Sequence, residues 1–191
     1  GILKNKLKSR NIKDIKGDVA EGILTIPVIF GETKGKIITW LLVFLGSFAI
    51  PFFLGHPQWM VGTIVNACLF LGAIFLPKKF FLSLIIFPSL GVLARGIIFG
   101  PFTPFLAYFL PFIWLGNLIL VLVFRKLGSV IVSAFAKFLF LFLASNIYFS
   151  FHLVPKLFLQ AMGLNQLATA LVGGVIAFII LKIYGRLNGR S

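Results

Sequence analysis

Six apolar runs, at about 37 to 55, 58 to 76, 80 to 99, 104 to 124, 128 to 150 and 166 to 184, constrain this chain more than any other feature. Each is close to the length that about 30 Å of hydrocarbon demands of a helix. In a bilayer every backbone N–H and C=O must be satisfied within the segment, so such runs become helices. The composition agrees: 60% of the residues are hydrophobic, 24 are Phe and only 12% are charged, whereas a soluble domain is nearer half apolar and a quarter charged. The expectation is an all-α integral membrane protein with about six transmembrane helices.

The connections between runs set the predicted orientation. Lys78 and Lys79 follow the second run, Arg125 and Lys126 the fourth, and Lys182, Arg186 and Arg190 the sixth. The alternate connections, Gly55-His56-Pro57-Gln58 and Gly100-Pro101-Phe102-Thr103, carry no Lys or Arg. Basic loops stay on the cytoplasmic side, which predicts an N-in, C-in topology in a prokaryotic cell membrane. The net charge of +14 follows the same logic. Eight of the 18 basic residues precede position 37 and most others end apolar runs, a distribution that suits anionic headgroups of membrane lipids and argues against nucleic acid.

The four acidic residues are Asp14, Asp18, Glu21 and Glu32, all within the first 32 positions. A site built on carboxylates therefore belongs in the N-terminal segment, residues 1 to 36, which is too polar to span. Asp14 and Asp18 are spaced i, i+4, one turn apart on one helix face. Such a pair can share Mg²⁺, which takes one or two carboxylates together with phosphate oxygens. Asn11 adds a neutral oxygen on that face, and Lys13 and Lys16 add cations beside it. The same segment also reads as a solvated juxtamembrane helix, with Ile12, Ile15, Val19 and Ile23 as an apolar stripe on the membrane surface. Pro27 and Gly31 end whatever helix carries the aspartates.

The run Asp14-Ile15-Lys16-Gly17-Asp18-x-Ala20-x-Gly22, followed by Thr25-Ile26-Pro27-Val28 and Gly31, resembles the second aspartate-rich motif of the UbiA superfamily of intramembrane prenyltransferases. The likeness covers about residues 8 to 36. It implies that Asp14 and Asp18 are Mg²⁺ ligands and that Asn11, Lys13 and Lys16 face the diphosphate of a polyprenyl donor. The acceptor would be an aromatic compound or a glycerol phosphate. Asn11 stands where the family usually has a further aspartate. The family's first aspartate-rich motif is absent from this sequence, so the expectation is the C-terminal portion of such an enzyme, inactive until that motif is supplied.

Two further regions follow in the predicted organisation. Residues 37 to 77 form two transmembrane helices of the UbiA-like tail. Residues 78 to 191 form four more, with a re-entrant or interfacial segment near 154 to 163 around the short apolar piece Leu157 to Met162. The stretch Phe99 to Asn117 and the closing 161–174 loosely resemble substrate-binding subunits of bacterial energy-coupling-factor vitamin transporters. That likeness implies the alternative function: a membrane transporter subunit that binds a small solute.

Within the spans a few polar residues stand out. Lys137 lies about nine residues inside its run, where a charge is costly unless it faces a cavity or a partner. No span offers an acidic partner, so an anionic substrate or headgroup is its expected counter-charge. Arg95 lies near the end of its run and is expected to reach the headgroups. Asn66, Asn117 and Asn146 are expected to hydrogen-bond between helices. Cys68 is expected to be inert packing, and His56 and His152 are expected to be solvated loop residues.

Overall fold

The structure, a computed structural model, describes residues 47–54, 57–76, 78–95 and 105–187. Their regular structure is all helical, with no strand among the described residues. After a helical stretch at 47–54 come α1 (Gln58–Phe75), a 3-10 turn at Lys78–Phe80, α2 (Phe81–Arg95), α3 (Leu106–Leu127), α4 (Val130–Ser150), α5 (Leu157–Met162) and α6 (Leu164–Leu187).

The helix ends follow from local chemistry. The carbonyl of Pro57 starts α1, accepting from the N–H groups of Met60 and Val61 at 3.0 and 3.3 Å. At the other end Leu76 precedes Pro77, whose ring excludes the helical conformation from the residue before it. Leu76 is accordingly extended, at φ −93° and ψ 142°. Gly128, at φ 68°, closes α3 in the left-handed conformation that glycine adopts without a Cβ penalty. The next residue, Ser129, opens α4 by accepting a hydrogen bond from the N–H of Val132 at 3.3 Å. Two residues thus reverse the chain, and α3 and α4 pack as an antiparallel hairpin.

Among the described residues four segments are long and apolar enough to cross a membrane: Gln58–Phe75, Leu106–Leu127, Val130–Ser150 and the stretch Leu157–Ile183. Of the run expected at 80 to 99, the described helix is α2, 15 residues with Pro88 inside it. Residues 96–99 of that run lie outside the described residues. The run at 37 to 55 is described only over 47–54. Leu157 to Met162, expected as a short piece between spans, is a six-residue helix that buries Phe158, Ala161 and Met162.

The distribution of side chains across α4 is the reverse of a water-soluble helix. Its buried residues are Ser133, Ala134, Lys137, Leu141, Ala144 and Ser145, whereas Ile131, Phe135, Leu139, Phe142, Leu143 and Ile147 are exposed. Small and polar groups point in and large apolar ones out, as a lipid surround favours.

Helices α1 and α6 run parallel and touch through small residues. Gly62 faces Thr169, and farther along Gly173 lies so close to α1 that a Cβ there would come within 2.7 Å of the Thr63 carbonyl oxygen and 2.8 Å of the Ala67 nitrogen. This contact joins residues on either side of the boundary expected at Pro77-Lys78-Lys79.

Two apolar clusters fill the interior. One, with Phe70, Leu84, Leu120 and Phe124, occupies the end where α1 and α3 finish. The second, with Phe109, Leu141, Phe158 and Met162, occupies the opposite end, where the Phe109 and Phe158 rings stack at 5.4 Å. Arg125 ties the first end together: its guanidinium lies 4.9 Å from the centre of the Phe81 ring and donates to the Leu76 carbonyl at 3.4 Å. The basic connections after α1 and α3 therefore sit at one end of the bundle.

Candidate functional site

Between the two apolar clusters lies a polar layer: Asn66 from α1, Ser89 from α2, Asn117 from α3, Lys137 from α4 and Thr169 from α6, each 5% exposed or less except Thr169 at 6%. Lys137 is the eighth residue of α4 and points to the interior with the buried face of that helix. Its Nζ donates to Asn66 Oδ1 at 2.7 Å. The other half of that amide continues the chain, Asn66 Nδ2 donating to Thr169 Oγ1 at 3.2 Å. The Thr169 hydroxyl turns back onto its own helix, 2.8 Å from the Asn165 carbonyl oxygen. Three helices are thereby stitched by a directional run of donors and acceptors.

Asn117 is tied less completely. Its Nδ2 donates to the Ile85 carbonyl at 3.4 Å, close to the point where Pro88 removes an N–H donor from α2. Its Oδ1 is buried without a hydrogen-bond partner.

A cavity of about 110 Å³ opens onto this layer. Asn66, Ser89, Asn117, Lys137 and Thr169 supply its polar wall, while Val92, Ile113 and Met162 supply apolar surface. Gln58, Trp59, Asn165 and Gln166 also line it. Of these Trp59 is 62% exposed, and Asn165 is exposed as well. The mouth thus lies at the starts of α1 and α6, opposite the end that carries Lys78 and Arg125.

Of the site residues expected from the sequence, Lys137 lies within the described part of the chain, and it is buried and lines the cavity. Asn11, Lys13, Asp14, Lys16 and Asp18 lie outside the described residues, as does His56. Among the described residues no group of three His, Cys, Asp or Glu comes together. Asn66 bonds between helices, as expected. Asn146 instead donates to Phe142 of its own helix at 2.7 Å. Arg95, expected at the headgroups, is turned onto the carbonyls of Phe52, at 2.6 Å, and Phe53. A cation suits these carbonyls, which approach the end of their helix. Cys68 is a free thiol, and His152 is an exposed residue in the left-handed region at φ 54°.

Thr169 and Ser89 are members of the layer that the sequence reading did not single out. For Thr169 a signal existed: Asn165, Gln166, Thr169 and Gly173 recur at helical spacing on one face of α6. Ser89 carried no comparable pattern.

Fold and site together define a class: a helical chain with segments of membrane-crossing length around a cation-bearing polar cavity. Compared with family models, curated proteins and solved structures, the chain matches none.

Proposed function

We propose that the helices from α1 to α6 form a membrane-embedded binding module for a small anionic solute, as in a transporter's substrate-binding subunit, with Lys137 as the group that holds the anion. The observation that carries this reading is Lys137 itself. It is 3% exposed, lines a cavity and has one hydrogen bond, to a neutral amide. The sequence has no Asp or Glu after Glu32, so none of the described residues can neutralise it. A buried ammonium without a counter-charge is costly, and an anion entering between Gln58 and Gln166 supplies one.

The test is equilibrium binding of radiolabelled small carboxylates and inorganic phosphate to the full chain in phosphatidylcholine nanodiscs. Saturable binding that Lys137→Met reduces at least about tenfold, the loss expected when a charged hydrogen bond is removed, supports the reading. Absence of binding by every anion, or binding unchanged in Lys137→Met, overturns it.

The motif at 14–31 favours a second reading, a UbiA-like prenyltransferase portion. There Asp14 and Asp18 would hold Mg²⁺, with Asn11, Lys13 and Lys16 beside the donor diphosphate. Magnesium would stabilise the charge on the leaving diphosphate as the prenyl group passes to its acceptor. Isothermal titration of a non-hydrolysable prenyl diphosphate tests it. Mg²⁺-dependent binding that Asp14→Ala or Asp18→Ala abolishes supports this reading, and binding unchanged in both variants removes it. On the predicted topology the motif is cytoplasmic while the cavity mouth faces outward, so the two readings concern separate places in the chain.

A further inference from the structure

We infer that the cavity takes a small monocarboxylate bearing a hydrogen-bond donor next to the carboxylate, a short hydroxy acid or amino acid, with Lys137 holding the carboxylate and Asn117 Oδ1 accepting from the donor. This rests on the anion-binding reading above and deepens it.

Three observations converge on that chemistry. An ammonium has three N–H donors, and Lys137 uses one on Asn66, which leaves donors for an acceptor in the cavity. Asn117 lines the same cavity, and its Oδ1 is a buried acceptor with no partner, on a residue 2% exposed. A buried acceptor left unmade is more costly than a hydrogen bond is favourable, so this atom calls for a donor. The orientation of the amide is fixed by its other half, since only the NH₂ can donate to the Ile85 carbonyl. A simple anion satisfies Lys137 and leaves Asn117 stranded. A ligand with an anion and an adjacent donor satisfies both.

Charge and size narrow the choice. Among the described residues Lys137 is the one cation lining the cavity, which matches a single negative charge better than a phosphate dianion or a dicarboxylate. A volume of about 110 Å³ is smaller than the roughly 150 Å³ that accommodates benzene. The enclosed part therefore suits a ligand of no more than about six heavy atoms. Val92, Ile113 and Met162 leave room for a short apolar remainder.

Two sources supply this chemistry: a free solute, or the serine headgroup of a lipid, which also joins a carboxylate to a donor. The experiment compares radiolabelled 2-hydroxypropanoate, alanine and propanoate on the full chain in phosphatidylcholine nanodiscs. Propanoate has the same carbon skeleton and charge as 2-hydroxypropanoate but lacks the donor. The expected result is at least about tenfold tighter binding of 2-hydroxypropanoate or alanine than of propanoate, the scale of one buried polar group left unpaired, with Asn117→Leu collapsing that ratio. Equal affinities in the wild-type chain, or a ratio unchanged in Asn117→Leu, overturn the inference while leaving anion binding intact. No carboxylate bound at all overturns the underlying reading and this inference with it. The wild-type ratio needs no substitution, so a misfolded variant does not protect the inference. Repeating the measurement with phosphatidylserine in the nanodisc separates the sources: displacement of the labelled acid assigns the headgroup, and no displacement assigns the free solute, the donor-bearing carboxylate being supported in either case.

Discussion

At Asn66 both halves of one amide are in use, the carbonyl on Lys137 and the NH₂ on Thr169. Replacing it with an apolar residue of similar size strands an ammonium and a hydroxyl in the interior at once. Asn66→Leu should therefore lower unfolding stability by about 2 kcal/mol, the scale of a hydrogen bond to a charged group. Adding Lys137→Met should recover most of the loss, because the stranded charge is then gone. A double-mutant cycle in denaturant unfolding checks this; strictly additive losses would mean that the 2.7 Å contact contributes nothing. At this scale the sequence disclosed the need but not the answer. Lys137 stands out because it is a cation deep in an apolar run. Its partner Asn66 lies 71 residues away, and Asn66 in turn is 103 residues from Thr169, and no local pattern announces such pairings. Arg95 is a similar case, since the carbonyls it meets belong to residues more than 40 positions earlier.

Among the elements, α3 and α4 were the most legible. Runs expected at 104 to 124 and 128 to 150 became Leu106–Leu127 and Val130–Ser150, because long apolar stretches punctuated by Gly128 and Ser129 leave few alternatives. Of the run expected at 80 to 99, the described part is likewise helical, as α2 over Phe81–Arg95 with Pro88 inside it. The contact of α1 with α6 falls at Gly173, whose small size allows a close approach without specifying to which helix. Gly173→Ala should disrupt that contact, because its Cβ would meet backbone atoms of Thr63 and Ala67 that cannot rotate away. Overpacking of this kind costs about 1 to 3 kcal/mol. Gly72→Ala is the control: its Cβ would meet the end of the Leu84 side chain, which has other rotamers, and the loss should be smaller. Thermal unfolding of the two variants in one detergent ranks them, and a larger loss at Gly72 would contradict the packing argument.

For the whole molecule, the gathering of Arg125 against Leu76 and Phe81 places two basic connections at one end, and the cavity mouth at Gln58 and Asn165 lies at the other. If lipid surrounds the bundle, these ends face opposite compartments. Single cysteines at Lys126→Cys and Asn165→Cys, in a Cys68→Ser background, should label with a membrane-impermeant maleimide from opposite sides, Asn165→Cys from outside intact cells. Labelling of both from the same side would break the predicted topology. The pairing of α1 with α6 also bears on how the protein is made. The two helices that meet most closely are separated by every other element from α2 to α5, so the ribosome delivers one long before its mate. Until α6 arrives, Asn66 lacks Thr169 and the groove along Gly62 stays uncovered. Assembly of the polar layer is therefore a late event, and chains arrested before α6 should be recognised as unfinished and cleared by quality-control proteases.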